Sequence, residues 1–258
     1  MLYALRSNHN YYIVRTTDVP NEEGRNLLRG AEPARTLREI CVIAAVRVID
    51  EQQLLPTVAA LVEGGIRAVE LSYTTVQSAG WLVQSLKEKD LLVGVGSITR
   101  SSQARESGML GADFVTATVT TPDVVSACKE ISMPCILSAL TPTEIWRAQE
   151  MGADFVRVLA EGLGGPNYIR SLRETLPVRH IVGADMPLDG YLPYLEAGTE
   201  LLEFGRSLAL AELVERENWA EISRRALKIV KACDNWRRTS TYRVLDSRID
   251  LNRKSNDE

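Results

Sequence analysis

The stretch LTPTEIWRAQEMGADFVRVLAEGLGGPNYIRSL, residues 140–172, decides the fold predicted for this chain. TPTEIWRAQEM has the apolar spacing of an amphipathic helix that ends at Gly152, and ADFVRVL is a short apolar run typical of a buried strand. After a glycine-rich loop, PNYIRSL begins a second helix with proline at its first position. This succession of helix, buried strand and helix indicates parallel strands joined by crossover helices.

The same alternation extends in both directions and gives eight predicted strands. Glycines that end a helix directly before a strand recur about every two units, at Gly65, Gly111, Gly152 and Gly198. We therefore predict an α/β fold, an eight-stranded parallel (β/α)8 TIM barrel, with an open doubly wound sheet as the alternative. The predicted strands are CVIAAVR (41–47), IRAVELS (66–72), LLVGVGS (91–97), ADFVTAT (112–118), PCILSAL (134–140), ADFVRVL (153–159), HIVGAD (180–185) and TELLEFG (199–205).

The flanks differ from this body. We expect an N-terminal extension over residues 1–36, the barrel over 37–233 and a polar C-terminal tail over 234–258. The extension contains one possible short strand, YYIVRTT, and a helix around Leu28 and Leu37 that we expect to close the bottom of the barrel.

Composition excludes several classes of protein. The formal net charge of −4 is spread over alternating acidic and basic residues, so no broad basic face exists for nucleic acid. The four cysteines lack CxxC spacing and a neighbouring histidine, which favours buried free thiols over a zinc site or disulfides. No signal-peptide core and no apolar run near 18 residues are present, which predicts a cytoplasmic protein without a membrane span.

Reactive groups of such barrels lie where strands end and βα loops begin. Charges inside strands that otherwise form the barrel wall are costly unless they are paired or bind a ligand. A functional pocket and a structural network of ion pairs are both open readings. The polar residues at these strand ends are Arg47, Glu70, Ser72, Ser97, Thr116, Thr118, Thr120, Ser138, Arg157, Asp185 and Arg206.

Three segments in consistent order resemble one family. GGIRAVELSYTT (64–75), VGVGSIT (93–99) and residues 140–172 are similar to segments of the aldolases that act on 2-keto-3-deoxy-6-phosphogluconate (KDPG) and 4-hydroxy-2-oxoglutarate (KHG). The likeness covers about residues 38–232. It implies a TIM barrel that cleaves a carbon–carbon bond of a small 2-oxo acid, such as one that yields pyruvate.

The resemblance implies roles for single residues. Glu70 matches the family's general acid/base glutamate, Arg47 matches an arginine that helps to hold the substrate carboxylate, and Ser97 replaces a threonine that touches the substrate. Arg157 falls on the lysine that forms a Schiff base with the 2-oxo group. A guanidinium stays protonated and cannot form this imine, but it can hold a carboxylate or an enolate.

Other positions of the family's pocket also differ. Thr74 stands in place of an arginine, Thr118 lies in an altered loop after the fourth strand, and Asp185 replaces part of a glycine turn that binds phosphate. A carboxylate there repels phosphate, which Arg206 after the eighth strand offsets in part. Gly164 and Gly165 precede a helix and predict an anion-binding corner, or only a loop that ends one element.

Two functions follow from these residues. In the first, Glu70 and Arg157 are catalytic in a lyase that uses no lysine imine, and the substrate is bound by Arg47, Ser97, Thr118, Gly164, Gly165, Asp185 and Arg206. A variant of it places a divalent metal, Mg²⁺ or Mn²⁺, between Glu70 and Asp185. In the second, the barrel is non-catalytic and binds a ligand or a partner. Members of this family commonly assemble as trimers, so the resemblance implies a homo-oligomer, a trimer.

Overall fold

The computed structural model describes residues 2–7, 10–15, 31–47, 50–87, 91–178, 180–184 and 186–239. Eight parallel strands pair in chain order and close into a barrel, in which the last strand pairs with the first. The predicted fold is therefore confirmed. The barrel strands are β3 (Val42–Val46), β4 (Ala68–Ser72), β5 (Leu92–Ile98), β6 (Phe114–Ala117), β7 (Cys135–Ala139), β8 (Phe155–Val158), β9 (Ile181–Ala184) and β10 (Leu201–Phe204). They follow an antiparallel pair, β1 (Leu2–Ser7) and β2 (Asn10–Arg15), of which only β2 was predicted.

Helices follow every barrel strand, and two regions differ from the prediction. The sequence predicts one helix through WLVQSLKEK (81–89) between β4 and β5, whereas two helices are found there, divided at residues 79–80. It also predicts one helical region over 208–232, which instead forms two helices, the second of which ends at Thr239. The helices are α1 (Ala31–Ile40), α2 (Glu51–Glu63), α3 (Tyr73–Ser78), α4 (Trp81–Lys87), α5 (Ser101–Met109), α6 (Pro122–Glu130), α7 (Pro142–Met151), α8 (Pro166–Thr175), α9 (Tyr191–Glu196), α10 (Ala211–Glu215) and α11 (Trp219–Thr239). No helix in these ranges is long and apolar enough to cross a membrane.

The recurring glycines turn the chain from helix to strand. Gly65, Gly111, Gly152 and Gly198 have φ angles of +91°, +92°, +90° and +95°. This left-handed conformation is open to glycine at little cost, whereas a Cβ clashes with the following carbonyl. The repeat seen in the sequence is therefore a repeat of backbone geometry.

An acidic residue two positions after three of these glycines ties neighbouring strands together. Its carboxylate accepts the backbone N–H near the start of the preceding barrel strand, so that each acid closes one two-strand unit at the amino end of the barrel. The bonds run from Val93 N to Asp113 Oδ2 (2.9 Å), from Cys135 N to Asp154 Oδ2 (2.9 Å) and from His180 N to Glu200 Oε1 (3.2 Å).

The lower half of the barrel interior is apolar and closed. Helix α1 contributes Ala34 and Leu37, which are 3% and 0% exposed, and these pack against inward-facing residues of the strands. The predicted closing helix is thus confirmed for Leu37, while Leu28 lies outside the described residues. The strand residues of this layer are Ile43, Ala68, Phe114, Ile136, Phe155, Val182 and Leu201.

The outward faces of the strands pack against the surrounding helices in a second, larger cluster. All four cysteines are buried free thiols, as predicted. With the lower interior filled by apolar side chains, the inward-facing polar side chains of the described strands lie toward the upper, carboxyl end of the barrel.

Candidate active site

A polar layer lies directly above the apolar one. Because inward-facing residues alternate along a strand, the inward position two residues beyond the apolar layer carries Glu70 on β4, Thr116 on β6, Ser138 on β7, Arg157 on β8 and Glu203 on β10. All five side chains are at most 7% exposed. Polar groups so deep in a barrel need partners or a ligand.

Arg157 is held on two sides. Its Nε donates to Ser138 Oγ at 2.9 Å, and its Nη1 donates to both carboxylate oxygens of Glu203, at 3.0 and 3.1 Å. Ser138 Oγ in turn donates to Ala117 O at 2.7 Å. The guanidinium therefore has a fixed orientation in the barrel interior.

The carboxyl group of Glu70 fits into the space left by the missing side chain of Gly96. A Cβ built on Gly96 would lie 2.0 Å from Glu70 Oε1, so the glycine of the neighbouring strand makes room for the carboxyl group. Among the described residues, neither Glu70 Oε2 nor the Thr116 hydroxyl has a hydrogen-bond partner of good geometry. Two buried, unpartnered polar atoms mark a position that suits a polar ligand atom or water.

The environment of Glu70 favours its protonated form. Burial raises the pKa of Glu70 to about 8, and the negative charge of Glu203 adds to this rise. Arg157, the nearby Thr116 hydroxyl and Arg47 act in the opposite direction but do not outweigh it. At neutral pH the group is thus mainly a neutral acid, with a smaller ionised fraction.

Ser97 lies on the rim of the mouth in a strained conformation. Its φ angle is +63°, which is unusual for a residue other than glycine, and the pairing of β5 with β6 is irregular between Val95 and Ile98. The side chain is exposed. Such strain is found at functional sites, where it directs a side chain to a required place.

Three further predicted residues lie at the mouth without a bond to the buried layer. Arg47, Thr118 and Arg206 are exposed and follow β3, β6 and β10. Arg47 lies close enough to Glu70 to lower its pKa. Asp185 directly follows β9 but lies outside the described residues, so its predicted role stays a prediction.

The glycine corner before α8 is only partly available to an anion. Gly164 and Gly165 have φ angles of +103° and +57°, and α8 begins at Pro166. The Gly165 amide donates to Ala160 O at 2.8 Å and is therefore engaged within the loop. Nothing lies within 4 Å of a Cβ at Gly164, so the loop is open to solvent on that side.

No described lysine reaches the polar layer. Lys87 and Lys129 end their helices at the amino end of the barrel, where their ammonium groups bind Gly111 O and Met151 O at 2.9 and 2.8 Å. Lys228 and Lys231 lie on the outer helix α11, where Lys228 pairs with Asp189. The interior cation on β8 is the guanidinium of Arg157.

Glu203 was not predicted as a site residue. The predicted site residues are polar residues at the ends of strands, whereas LLEF was predicted only as part of a barrel strand. A carboxylate between leucine and phenylalanine inside a buried strand is itself a signal, since its burial requires a partner. Thr116 and Ser138 were noticed as polar strand residues but were not assigned roles.

Two other observations bear on ligands. A cavity of about 340 Å³ lies near the amino end of the barrel, against α11, and is lined by Ile40, Val42, Ile66, Val230 and Asp234 among others. This cavity is lined by none of the predicted site residues. The described residues hold no cluster of three or more histidine, cysteine or acidic side chains that fits a metal.

These features define a class: a TIM barrel whose interior, toward its carboxyl end, carries a buried acid with an elevated pKa and a fixed cation in one layer. The family model described as "KDPG and KHG aldolase" matches residues 34–225. The chain is 28% identical over 200 residues to a 2-dehydro-3-deoxy-phosphogluconate aldolase of Treponema pallidum, which covers 75% of this chain and 95% of that protein. It is 24% identical over 210 residues to a KHG/KDPG aldolase of Escherichia coli, covering 80% and 98%. The chain belongs to the KDPG and KHG aldolase family.

Solved structures agree on the fold. A KDPG aldolase from Legionella pneumophila, with pyruvate captured as a covalent carbinolamine intermediate, superposes with a TM-score of 0.69 at 19% identity. It covers 76% of this chain and 97% of that one. At 19% identity this likeness shows the fold alone.

Proposed function

We propose that the protein is a carbon–carbon lyase for a small 2-oxo acid, of the 4-hydroxy-2-oxoglutarate or KDPG type, that works without a lysine imine. The observation that carries the proposal is the buried carboxyl group of Glu70, whose Oε2 has no hydrogen-bond partner of good geometry among the described residues, in the same inward-facing layer as the guanidinium of Arg157. A carboxyl group with a pKa near the working pH both accepts and returns a proton. Family membership and the names of the relatives support the 2-oxo acid as substrate class.

The proposed cleavage uses this single proton carrier. The ionised fraction of Glu70 removes the proton of the 4-hydroxyl group, C3–C4 breaks, C4 becomes an aldehyde carbonyl, and the electron pair passes into the enolate of pyruvate. Glu70 then returns the proton to C3. The positive charge of Arg157 stabilises the enolate oxygen in this buried site, where electrostatic interactions are strong.

The rim residues bind and orient the substrate in this proposal. Arg47 and Arg206 are exposed cations at the mouth and suit a substrate carboxylate, while Ser97 and Thr118 offer hydroxyl groups. The engaged Gly165 amide leaves Gly164 as the open part of the anion corner. A substrate smaller or less charged than a phosphosugar acid fits this set best.

The divalent metal remains a separate proposal that the described residues do not favour. A neutral carboxylic acid is a poor ligand for Mg²⁺ or Mn²⁺, and Asp185 lies outside the described residues. No step is therefore assigned to a metal. Adding either ion, or a chelator, should leave the activity unchanged.

The test is exchange of the C3 protons of pyruvate and oxaloacetate with solvent deuterium, followed by NMR with and without Mg²⁺ or Mn²⁺. We expect exchange with wild type, its loss in Glu70→Gln, and its retention in Glu63→Gln, a change on the exposed end of α2. Absence of exchange under all conditions would favour a non-catalytic, ligand-binding barrel. Treatment with pyruvate and borohydride should give no covalent adduct, and a lysine-borne adduct would overturn the imine-free mechanism.

We also propose that the chain forms a homo-oligomer, a trimer by analogy with its family. Three consecutive βα loops expose apolar side chains at the carboxyl end of the barrel, namely Val119, Leu140, Leu159 and Leu163, at 39–47%. Exposed apolar groups on neighbouring loops are typical of contact surfaces. Light scattering coupled to gel filtration tests this, and a monomer at micromolar concentration would contradict it. The cytoplasmic location stays a prediction.

A further inference from the structure

Glu203 is the most deeply buried charged side chain among the described residues, with 0% exposure. It projects from β10 into the polar layer and meets Arg157 from β8, on the far side of β9. By alternation with Val182, the inward residue of β9 at this level is Ala184, whose small side chain leaves room for the contact. The pair therefore spans part of the barrel mouth.

We propose that Glu203 is a positioning residue for the reaction proposed above: it fixes the guanidinium of Arg157 in the place of the family's lysine and acts on the substrate through Arg157 and Glu70. The inference rests on the proposed function. It adds a residue that neither the resemblance nor the strand ends pointed to.

The charge balance of the layer supports this role. Among the described residues, the charged groups that act on Glu70 are Glu203 on β10, Arg157 on β8 and the exposed Arg47 at the end of β3, and the Thr116 hydroxyl faces it from β6. Two ionised carboxylates and one buried guanidinium would leave a net negative charge. Glu203 receives both bonds from Nη1, so the proton remains on Glu70, whose pKa is raised.

A purely structural pair is a poor explanation for this arrangement. Two charges buried in a barrel cost more desolvation energy than apolar residues of equal volume, which fill the layer below. The pair instead fixes an orientation. Because Arg157 Nε donates to Ser138 and Nη1 donates to Glu203, the plane of the guanidinium is fixed. A positioned cation also costs no reorganisation when an enolate forms.

The first test is the titration of Glu70 in protein labelled with ¹³C-glutamate, with its carboxyl resonance assigned by its absence in Glu70→Gln. In Glu203→Gln we expect the midpoint to fall by about one pH unit or more, because a like charge is removed and Arg157 is left unneutralised. The matched control is Glu200→Gln, at the amino end of the same strand, which should leave the midpoint in place. An unchanged midpoint in Glu203→Gln would overturn the proposal.

The second test is the pH profile of pyruvate exchange. In Glu203→Gln, the pH at which the exchange rate changes with the ionisation of Glu70 should move to lower pH, by the same amount as the Glu70 titration midpoint. Glu203→Asp keeps the charge but shortens the side chain, so it should keep the midpoint high while exchange falls about tenfold. Where Glu203→Gln does not fold, Glu203→Asp decides, and unchanged exchange overturns the role. If the Glu70 midpoint shifts in Glu203→Gln but wild type shows no pyruvate exchange, the proposed lyase function is refuted. The effect of Glu203 on the ionisation of Glu70 is then still supported.

Discussion

Glu70 lies against the Cα of Gly96, so closely that a Cβ on residue 96 would stand 2.0 Å from Glu70 Oε1 and 2.4 Å from its carboxyl carbon. The pair belongs to neighbouring strands of the barrel. One strand carries the acid, and the next omits a side chain to receive it. Gly96, the second glycine of VGVGS, thus makes room for the site carboxyl group and does not form a turn.

We therefore predict that Gly96→Ala abolishes pyruvate exchange. The added methyl group displaces the carboxyl group from the space that it occupies, and overpacking of this kind costs about 1–3 kcal/mol of stability. Thermal unfolding and NMR exchange measure the two effects.

The control for this prediction is Gly94→Ala on the same strand. Its Cβ would lie 2.2 Å from the Phe114 ring in the apolar layer, so it should destabilise the barrel to a similar extent while folded protein keeps the titration of Glu70. Equal activity in Gly96→Ala and wild type would show that Glu70 has another place to go.

The sequence predicted the barrel well because its signals are local. Apolar runs, helix periodicity and the glycines at positive φ each depend on a few neighbouring residues. The Arg157–Glu203 pair could not be predicted in the same way, since its members are 46 residues apart and meet only through barrel closure. Burial of both charges required a partner, but the sequence did not say which one.

A second prediction concerns stability and pH. The pKa of Glu70 is raised to about 8 in the folded chain from an ordinary value of 4.5. Above 4.5 the unfolded chain releases this proton while the folded chain keeps it, so the contribution of Glu70 to stability falls as pH rises from about 4.5 to about 8.

Glu70→Gln removes this dependence, because the amide is neutral at every pH. We expect the variant to gain stability relative to wild type as the pH rises, with a clear advantage at pH 8 in urea unfolding. A constant difference between the two proteins from pH 5 to pH 8 would show that the buried acid does not titrate as described.

A third prediction concerns the carboxylates that close the two-strand units. Asp154 is partly buried and its carboxylate accepts the Cys135 backbone N–H at 2.9 Å, so Asp154→Ala leaves that amide without its partner. We expect a loss of about 1–3 kcal/mol in the free energy of unfolding. Asp123→Ala, in the exposed first turn of α6, should cost no more than about 1 kcal/mol. Similar losses in both variants would mean that the strand bond is not needed.

The last prediction asks whether the family's lysine can be restored. In Arg157→Lys the introduced amine lies beside Glu203, and a carboxylate at hydrogen-bond distance keeps an ammonium protonated and unreactive. In the double variant Arg157→Lys with Glu203→Gln this charge is gone, and burial lowers the pKa of the amine so that it can attack a 2-oxo group. We expect a borohydride-reduced pyruvate adduct, mapped to residue 157 by peptide mass, that is at least tenfold more abundant in the double variant than in the single one. Arg206→Lys, at the exposed rim, is the control and should give none. Equal labelling of the single and double variants would show that Glu203 does not control the charge at this position.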